Sequence, residues 1–317
     1  MTTGTLGPGR PPAAPRTPSR TGPRAGRTAP RPSPSRRPRP GRGPRYRRPD
    51  RLGALGAAVW LVVVAVPLYY VLASSLRDKS DYLDAGPLSP PHHVVLSNYR
   101  TVLDSGFAGY LGNSILVTLS TVALVLALGL PAAYAIVRSR SRFVSAGFSV
   151  MLMGLAIPAQ ATIVPVYLLI TRLHLYDTLT AIVLPTAAFS LPMAILVLTS
   201  TMRDIPGELY EAMTMDGANA THVLRALVLP LTRPGLVTVG IYTALGSWNG
   251  FIFPLVLTQS DARRTVTLGL WNYQGQQGGI NVPATMAAVV LSLLPLLAAY
   301  LFGRRHLLSG LTAGFGK

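Results

Sequence analysis

The chain has 317 residues, of which 49% are hydrophobic and only 13% charged. A soluble globular domain carries about a quarter charged residues, so a water-soluble globule is excluded, and with no cysteine so are disulfides, thiolate metal sites and thiol nucleophiles. The net charge of +18 is uneven: residues 1–50 hold 13 Arg against one acid, Asp50, so the basic excess belongs mostly to that segment.

That segment is the first element in chain order. It has 13 Pro and 7 Gly in fifty residues and almost no large apolar side chains. Such a composition cannot bury enough surface to offset chain entropy, which predicts a disordered tail. The basic region is too long for a cleavable signal peptide, and the apolar run after it is long enough to span a bilayer. Two readings of its arginines stand side by side: attraction to anionic lipid head groups, or a solvated extension without a specific task.

Crossing the hydrocarbon core takes ~20 apolar residues as a helix. Six stretches qualify: Leu52–Leu76, Ile115–Val137, Phe143–Ile170, Leu179–Met202, Gly235–Leu257 and Ala284–Phe302, none of which contains Asp, Glu, Lys, Arg or His. Pro67, Pro131, Pro158, Pro165, Pro185, Pro192, Pro254 and Pro295 fall inside them. Membrane helices tolerate such kinks when neighbours re-satisfy the freed carbonyls. The prediction is an all-α integral membrane fold with six transmembrane helices, residues 1–50 forming the tail and 51–317 the folded domain. The positive-inside rule places both termini in the cytoplasm, because that arrangement puts 23 basic residues inside and 6 outside, with Arg138, Arg140 and Arg142 clustered inside.

Between the fourth and fifth spans lies a cytoplasmic polar loop, residues 203–234. Within it, DIPGELYEAMTMDG (204–217) reads as a short helix with its signals in order. Asp204 or Ile205 precedes Pro206, which suits a first helical turn. Glu208 and Glu211 lie toward the N-terminal end, where the helix dipole favours negative charge. Gly217 stands where a left-handed C-terminal residue belongs. Ile205, Leu209, Ala212 and Met213 form one apolar stripe, and a second helix opens at Asn219 or Thr221. A three-turn amphipathic helix is marginal alone and needs a partner. Interfacial helices favour Lys and Arg on the polar face; this one is acidic, so a groove on another protein fits better.

Glu211-Ala212-Met213-x₃-Gly217, followed by Leu227-Val228-Leu229-Pro230, resembles the EAA signature (E-A-A-x₃-G-x₉-I-x-L-P) of ABC importer permeases. Met213 replaces the second alanine and Leu227 the isoleucine. The longer pattern from Pro206 to Ala218 is similar to the carbohydrate branch, the second of the two maltose-type permeases. Asn113-Ser114-Ile115, Ala133-Tyr134-Ala135, Ile157-Pro158-x-Gln160, Trp248-Asn249-x-Phe251-x₂-Pro254 and the closing Gly310-Leu311-Thr312-Ala313-Gly314 extend it over about residues 52–317. The resemblance implies a type I ABC importer fold with a first helix at 52–76 and a core at about 110–303. It implies that 205–218 is a coupling helix docking into an ATPase subunit through Glu208, Glu211, Ala212, Met213, Asp216 and Gly217. The partners it implies are a second, non-identical permease, two copies of the ATPase and an extracellular solute-binding protein, in the bacterial cytoplasmic membrane.

Other chemistries lack their residues. No G-x-x-x-x-G-K-[ST] loop exists, so this chain is expected to bind no cofactor, with ATP and Mg used by the partner. No ionisable residue lies in a span, which argues against proton- or sodium-coupled carriers and intramembrane proteases. His92-His93 has no neighbouring carboxylate or cysteine cluster in sequence and reads as an exposed pair. The polar residues left at span depth are neutral: Thr118, Ser120, Gln160, Thr162, Ser190, Tyr242, Ser247, Trp248 and Asn249. They suit a polyhydroxylated solute, with Gln160, Trp248 and Asn249 as the substrate-path candidates. The expected function is therefore ATP-driven import of a sugar or oligosaccharide by alternating access. Another small polar solute is the alternative, and a secondary transporter the more distant one.

Overall fold

The computed structural model describes residues 51–271 and 281–314, with side chains up to Leu301, and every regular element among them is helical. The predicted tail lies outside the described residues. Helix α1 (Arg51–Ser75) is the first predicted span. It buries only Ala73, Ser74 and Ser75, and a helix apolar all round with its sides uncovered belongs in hydrocarbon, not water.

Two short helices follow, α2 (Lys79–Ala85) and α3 (Ser97–Asp104), then α4 (Phe107–Arg138). α4 contains the second predicted span but starts at Phe107 rather than Ile115, because Phe107 and Tyr110 already pack into a buried cluster. The segment joining α1 to α4 is tied by Arg77, whose side chain is fully buried. Its guanidinium donates to Asp81 Oδ2 at 2.8 Å and to the carbonyls of Asp81 and Gly86, each at 2.6 Å. The Asp81 carboxyl also meets His92 Nδ1 at 2.5 Å. Arg77 first, then His92, holds that carboxyl down at about 2, so the cluster keeps its charge pair above that range and loosens only as pH falls through it. Counting outer basic residues registered Arg77 as a charge; it is the hub of a hydrogen-bonded knot.

From Arg142 the chain forms α5 (Arg142–Met153), α6 (Ile163–Arg172) and α7 (Leu179–Arg203). The third predicted span, Phe143–Ile170, is thus not one helix. Short 3₁₀ turns flank Pro158, and the axis bends by 98°. Proline lacks the N–H a helix needs and pushes its predecessor out of helical geometry; Ile157 accordingly sits at φ −85°, ψ 115°. The broken pair must still traverse the bundle. α4 and α7 run side by side in the same direction, since Leu116 to Leu124 faces Leu179 to Leu184 while Gly129 lies against Ala194, Ile195 and Leu198. A chain leaving one parallel neighbour can enter the other only by recrossing, and α5 with α6 is that crossing.

The polar loop folds as α8 (Gly207–Met215), α9 (Ala220–Val223), a π-helical turn (Leu224–Val228) and α10 (Leu229–Leu231) before α11 (Arg233–Trp248). α11 runs back against α7 and α4: Gly235 meets Thr201, Gly240 meets Val122, and Trp248 joins Phe107 and Tyr110. The fifth predicted span, Gly235–Leu257, is also interrupted. α11 ends at Trp248, and α12 (Ile252–Leu257) completes the crossing after Asn249, Gly250 and Phe251. The short α13 (Val266–Gly269) and the sixth predicted span, α14 (Val282–Gly314), follow. α14 begins at Val282, beside the Phe107–Trp248 cluster, and carries the chain toward the end that bears α8 to α10.

One buried cluster extends from the bundle into the loop. Val125, Ala133, Ala194, Leu198, Met202 and Val239 continue into Ile205, Tyr210, Val223 and Val228. At the opposite end, a β-carbon on Gly269 would fall 2.3 Å from Tyr110 Cδ2, and that ring is buried. Gly269→Ala should therefore destabilise the subunit by about 1–3 kcal/mol through overpacking. Thermal unfolding of the purified variant would show a lowered midpoint; an unchanged midpoint would mean that the Tyr110 ring yields.

Candidate functional site

The predicted site residues fall on the loop beyond α7 and around a cavity between the crossings. In the loop, Pro206 occupies the cap position and α8 starts at Gly207, one residue later than the sequence suggested. Gly217 adopts φ +76°, the left-handed conformation open to glycine. Its N–H bonds the Thr214 carbonyl at 3.1 Å, and the Ala218 N–H bonds the Met213 carbonyl at 2.9 Å. That crossed pair is a Schellman C-cap, and Met213 and Ala218 both pack on the core. α9 is opened by Asn219, whose Oδ1 accepts from the His222 N–H at 2.8 Å. The π-turn ends just before Pro230, whose missing N–H leaves the Ala226 carbonyl without its helical donor.

The predicted apolar stripe is redrawn by the structure. Ile205 and Met213 do turn inward, but Leu209 and Ala212 are exposed, and Tyr210 is the residue buried in the core. The Tyr210 ring lies under the Arg138 guanidinium at 5.0 Å, and its hydroxyl donates to the Met202 carbonyl at 3.4 Å. Burial raises its pKa, which keeps the phenol neutral. Of the predicted contact residues, Glu208, Glu211, Ala212, Asp216 and Gly217 face outward, while Met213 faces the bundle. Met215, 88% exposed, joins Glu208, Glu211 and Ala212 on one side of the helix. Nothing in its local sequence marks it, because an apolar stripe through Met213 leaves Met215 on the opposite side of the helix. The outward side is thus acidic with the exposed apolar residues Leu209, Ala212 and Met215 beside the carboxylates, while the inward side belongs to the subunit's own core.

The cavity has a volume of about 680 Å³, within the range of small-solute sites, and Gln160, Thr186, Ser190, Tyr242, Ser247 and Asn249 supply its polar groups. Among the described residues, no Asp, Glu, Lys, Arg or His lines it. Phe189, Phe251 and Phe253 make its aromatic wall, with Phe189 and Phe253 at 5.8 Å between centroids. The two chain breaks open toward it: Gln160 lies in the turn after Pro158, and Asn249 at the end of α11, donating to the Leu245 carbonyl at 2.9 Å. Two of the three substrate-path candidates therefore meet there. Trp248 does not. It is 6% exposed and packed among Val102, Phe107, Tyr110, Val266 and Ala287, so the turn that puts Asn249 in the cavity puts its neighbour in the core. The phenylalanines carried no signal, because an apolar ring in a span reads the same whether it faces lipid or a path.

Trp248→Ala is accordingly expected to lower the amount of intact subunit, at about 3–5 kcal/mol for a truncated buried aromatic. Asn249→Ala should leave that amount unchanged. Quantifying purified protein for both checks this, and normal recovery of the Trp248 variant would contradict the packing role.

Among the described residues, no group of three or more His, Asp or Glu side chains is placed to hold a metal ion.

Residues 125–311 match the family model for the binding-protein-dependent transport system inner membrane component. Over 82% of its length the chain is 40% identical to a protein of Caldicellulosiruptor sp. (strain Rt8B.4), provisionally named ABC transporter permease protein ORF2, covering 94% of it. It is 32% identical to the diacetylchitobiose uptake system permease protein NgcG of Streptomyces coelicolor, across 81% of this chain and 85% of that protein. Among solved structures, a chain of a bacterial ABC transporter that imports the acidic polysaccharide alginate superimposes with a TM-score of 0.72 at 23% identity, over 83% of this chain and 99% of that one.

Proposed function

The chain belongs to the binding-protein-dependent transport system inner membrane components, and from that premise we propose that it imports a sugar or short oligosaccharide, with α8 and its Gly217 cap as the docking element for an ATPase subunit. It is a multi-pass permease of the bacterial cytoplasmic membrane and works in an ABC importer. The sugar reading rests on the cavity: neutral hydrogen-bonding groups and aromatic faces without a single formal charge suit hydroxyls and pyranose rings. The diacetylchitobiose relative supports it.

The cavity is incomplete in this subunit alone. Gln160, Tyr242 and Asn249 are exposed although they lie within the crossings, and polar groups at that depth need partners or enclosed water. A second, non-identical permease closing the open side supplies that enclosure. At the other end, the acidic outward side of α8, fixed at both termini of the helix, suits the groove of an ATPase that hydrolyses ATP in this chain's place. The basic cluster Arg138, Arg140 and Arg142 near this end supports a cytoplasmic side for it. Transport then follows if ATP binding closes the ATPase pair and moves α8, so that differential binding to two states reorients the crossings.

The test is uptake by the whole importer reconstituted in liposomes with its ATPase, second permease and binding protein, using radiolabelled diacetylchitobiose, maltose, trehalose, glycine and phosphate. ATP-dependent accumulation of a sugar, competed by other sugars only, is the expected result. Preferential accumulation of the amino acid or the ion would overturn the sugar assignment.

A further inference from the structure

One aromatic ring of the cavity wall is stacked on a second that the lining itself does not include. Phe251 forms part of the wall, and Trp271 stacks on it with centroids 6.0 Å apart and planes 18° from parallel. Trp271 nonetheless remains 59% exposed, although its neighbour Leu270 packs into the core. Its backbone is well anchored. The preceding α13 is held by a 2.9 Å bond from the Val266 N–H to Ser114 Oγ and by a 2.6 Å bond from Thr267 Oγ1 to the Gly250 carbonyl. Gly269 presses on the Tyr110 ring. The loop leading into α13 is fastened as well: Asp177 Oδ1 accepts from the Gln259 and Ser260 N–H groups at 2.9 and 3.0 Å, and Asn113 Nδ2 donates to the Ala262 and Arg264 carbonyls at 2.9 and 2.8 Å.

Depth follows from the same contacts. The Gly250–Phe251 break lies beside the start of α4, at the end opposite α8, while Tyr242 sits nearly two turns further down α11. The wall therefore reads, from its outer end inward, Phe251 and then Tyr242, with Trp271 stacked on Phe251 from outside the lining. The flat faces at the outer end offer an apolar, electron-rich surface to a ring that carries axial C–H groups on one side.

We propose that Trp271, seated on Phe251, is a stacking subsite at the outer end of the cavity for the first pyranose ring of the incoming sugar. This rests on the sugar reading above. An acyclic or charged solute has no matching flat face, so the pair selects by shape where the deeper groups bond hydroxyls. The competing role is that of an aromatic anchor at the membrane boundary, which any large apolar side chain would largely fulfil.

Trp271→Phe, Trp271→Leu and Trp271→Ala separate the two roles in the reconstituted importer, with radiolabelled diacetylchitobiose and maltose supplied at saturating binding protein. Loss of the stacking face should lower uptake per intact complex roughly tenfold in the Leu and Ala variants, while Phe retains most of it. Co-purification of the ATPase should be equal in all four proteins. Normal uptake by the Leu variant, or a fall that only tracks complex abundance, overturns the subsite. If the wild-type importer takes up neither sugar but does accumulate glycine or phosphate, the sugar reading fails in the unmutated protein and the subsite falls with it.

Discussion

Gly217→Pro is expected to abolish uptake while leaving the subunit inserted and abundant. The residue sits at φ +76° and its N–H closes the C-cap of α8 on the Thr214 carbonyl. Proline can neither reach that φ nor donate that bond. The crossed bonds also set where Ala218 and Asn219 go, so their loss redirects the chain between α8 and α9. Alanine at the same position supplies the graded control, since the left-handed conformation costs an ordinary residue about 1–2 kcal/mol and no side-chain atom lies within 4 Å of the added carbon. Uptake should therefore fall in the order wild type, Gly217→Ala, Gly217→Pro at constant membrane abundance. Full uptake by the proline variant would remove α8 from the mechanism.

Tyr210→Ala should uncouple the importer, with uptake reduced more than tenfold and ATP hydrolysis persisting. Tyr210 is the side chain that roots α8 in the bundle: 3% exposed, under Arg138 of α4, and in one cluster with Leu198 and Met202 of α7. Truncating a buried aromatic costs about 3–5 kcal/mol, and here the loss falls on the joint between α8 and two crossings. Tyr210→Phe keeps the ring under the guanidinium and gives up only a 3.4 Å bond, so it should transport nearly normally. Measuring uptake and phosphate release on the same liposomes distinguishes uncoupling from unfolding. Equal uptake by the Ala variant would show that motion reaches α4 by another route.

Several of these features were legible in the sequence for identifiable reasons. The spans were visible because lipid forbids charge over a crossing's length, and α8 because Glu208 and Glu211 stand toward its start and Gly217 just past its end. The two broken crossings were not. Pro131, Pro185 and Pro192 sit inside continuous helices, whereas Pro158 stands between two 3₁₀ turns, and local sequence does not separate the cases. What decides is whether neighbours supply partners for the freed carbonyls, a tertiary property. The inward side of α8 was misjudged for a related reason. Leu209 and Ala212 are apolar but exposed, while Tyr210, which carries a hydroxyl, is buried because Arg138 and the Met202 carbonyl meet it. Trp248 and Asn249 are adjacent and looked equivalent, yet the end of α11 sends one into the core and the other into the cavity.

The outward side of α8 is proposed as the surface on which the ATPase docks. The chain has no cysteine, so single-cysteine variants report on one position each without background. Met215→Cys and Ala212→Cys on the outward side, and Met213→Cys on the inward side, would be treated with a short bifunctional thiol–amine cross-linker in membranes holding the whole importer. A cross-linked band joining this subunit to the ATPase is expected for Met215→Cys and Ala212→Cys and none for Met213→Cys. A band from Met213→Cys alone, or none from either outward position while the complex still co-purifies, would contradict it.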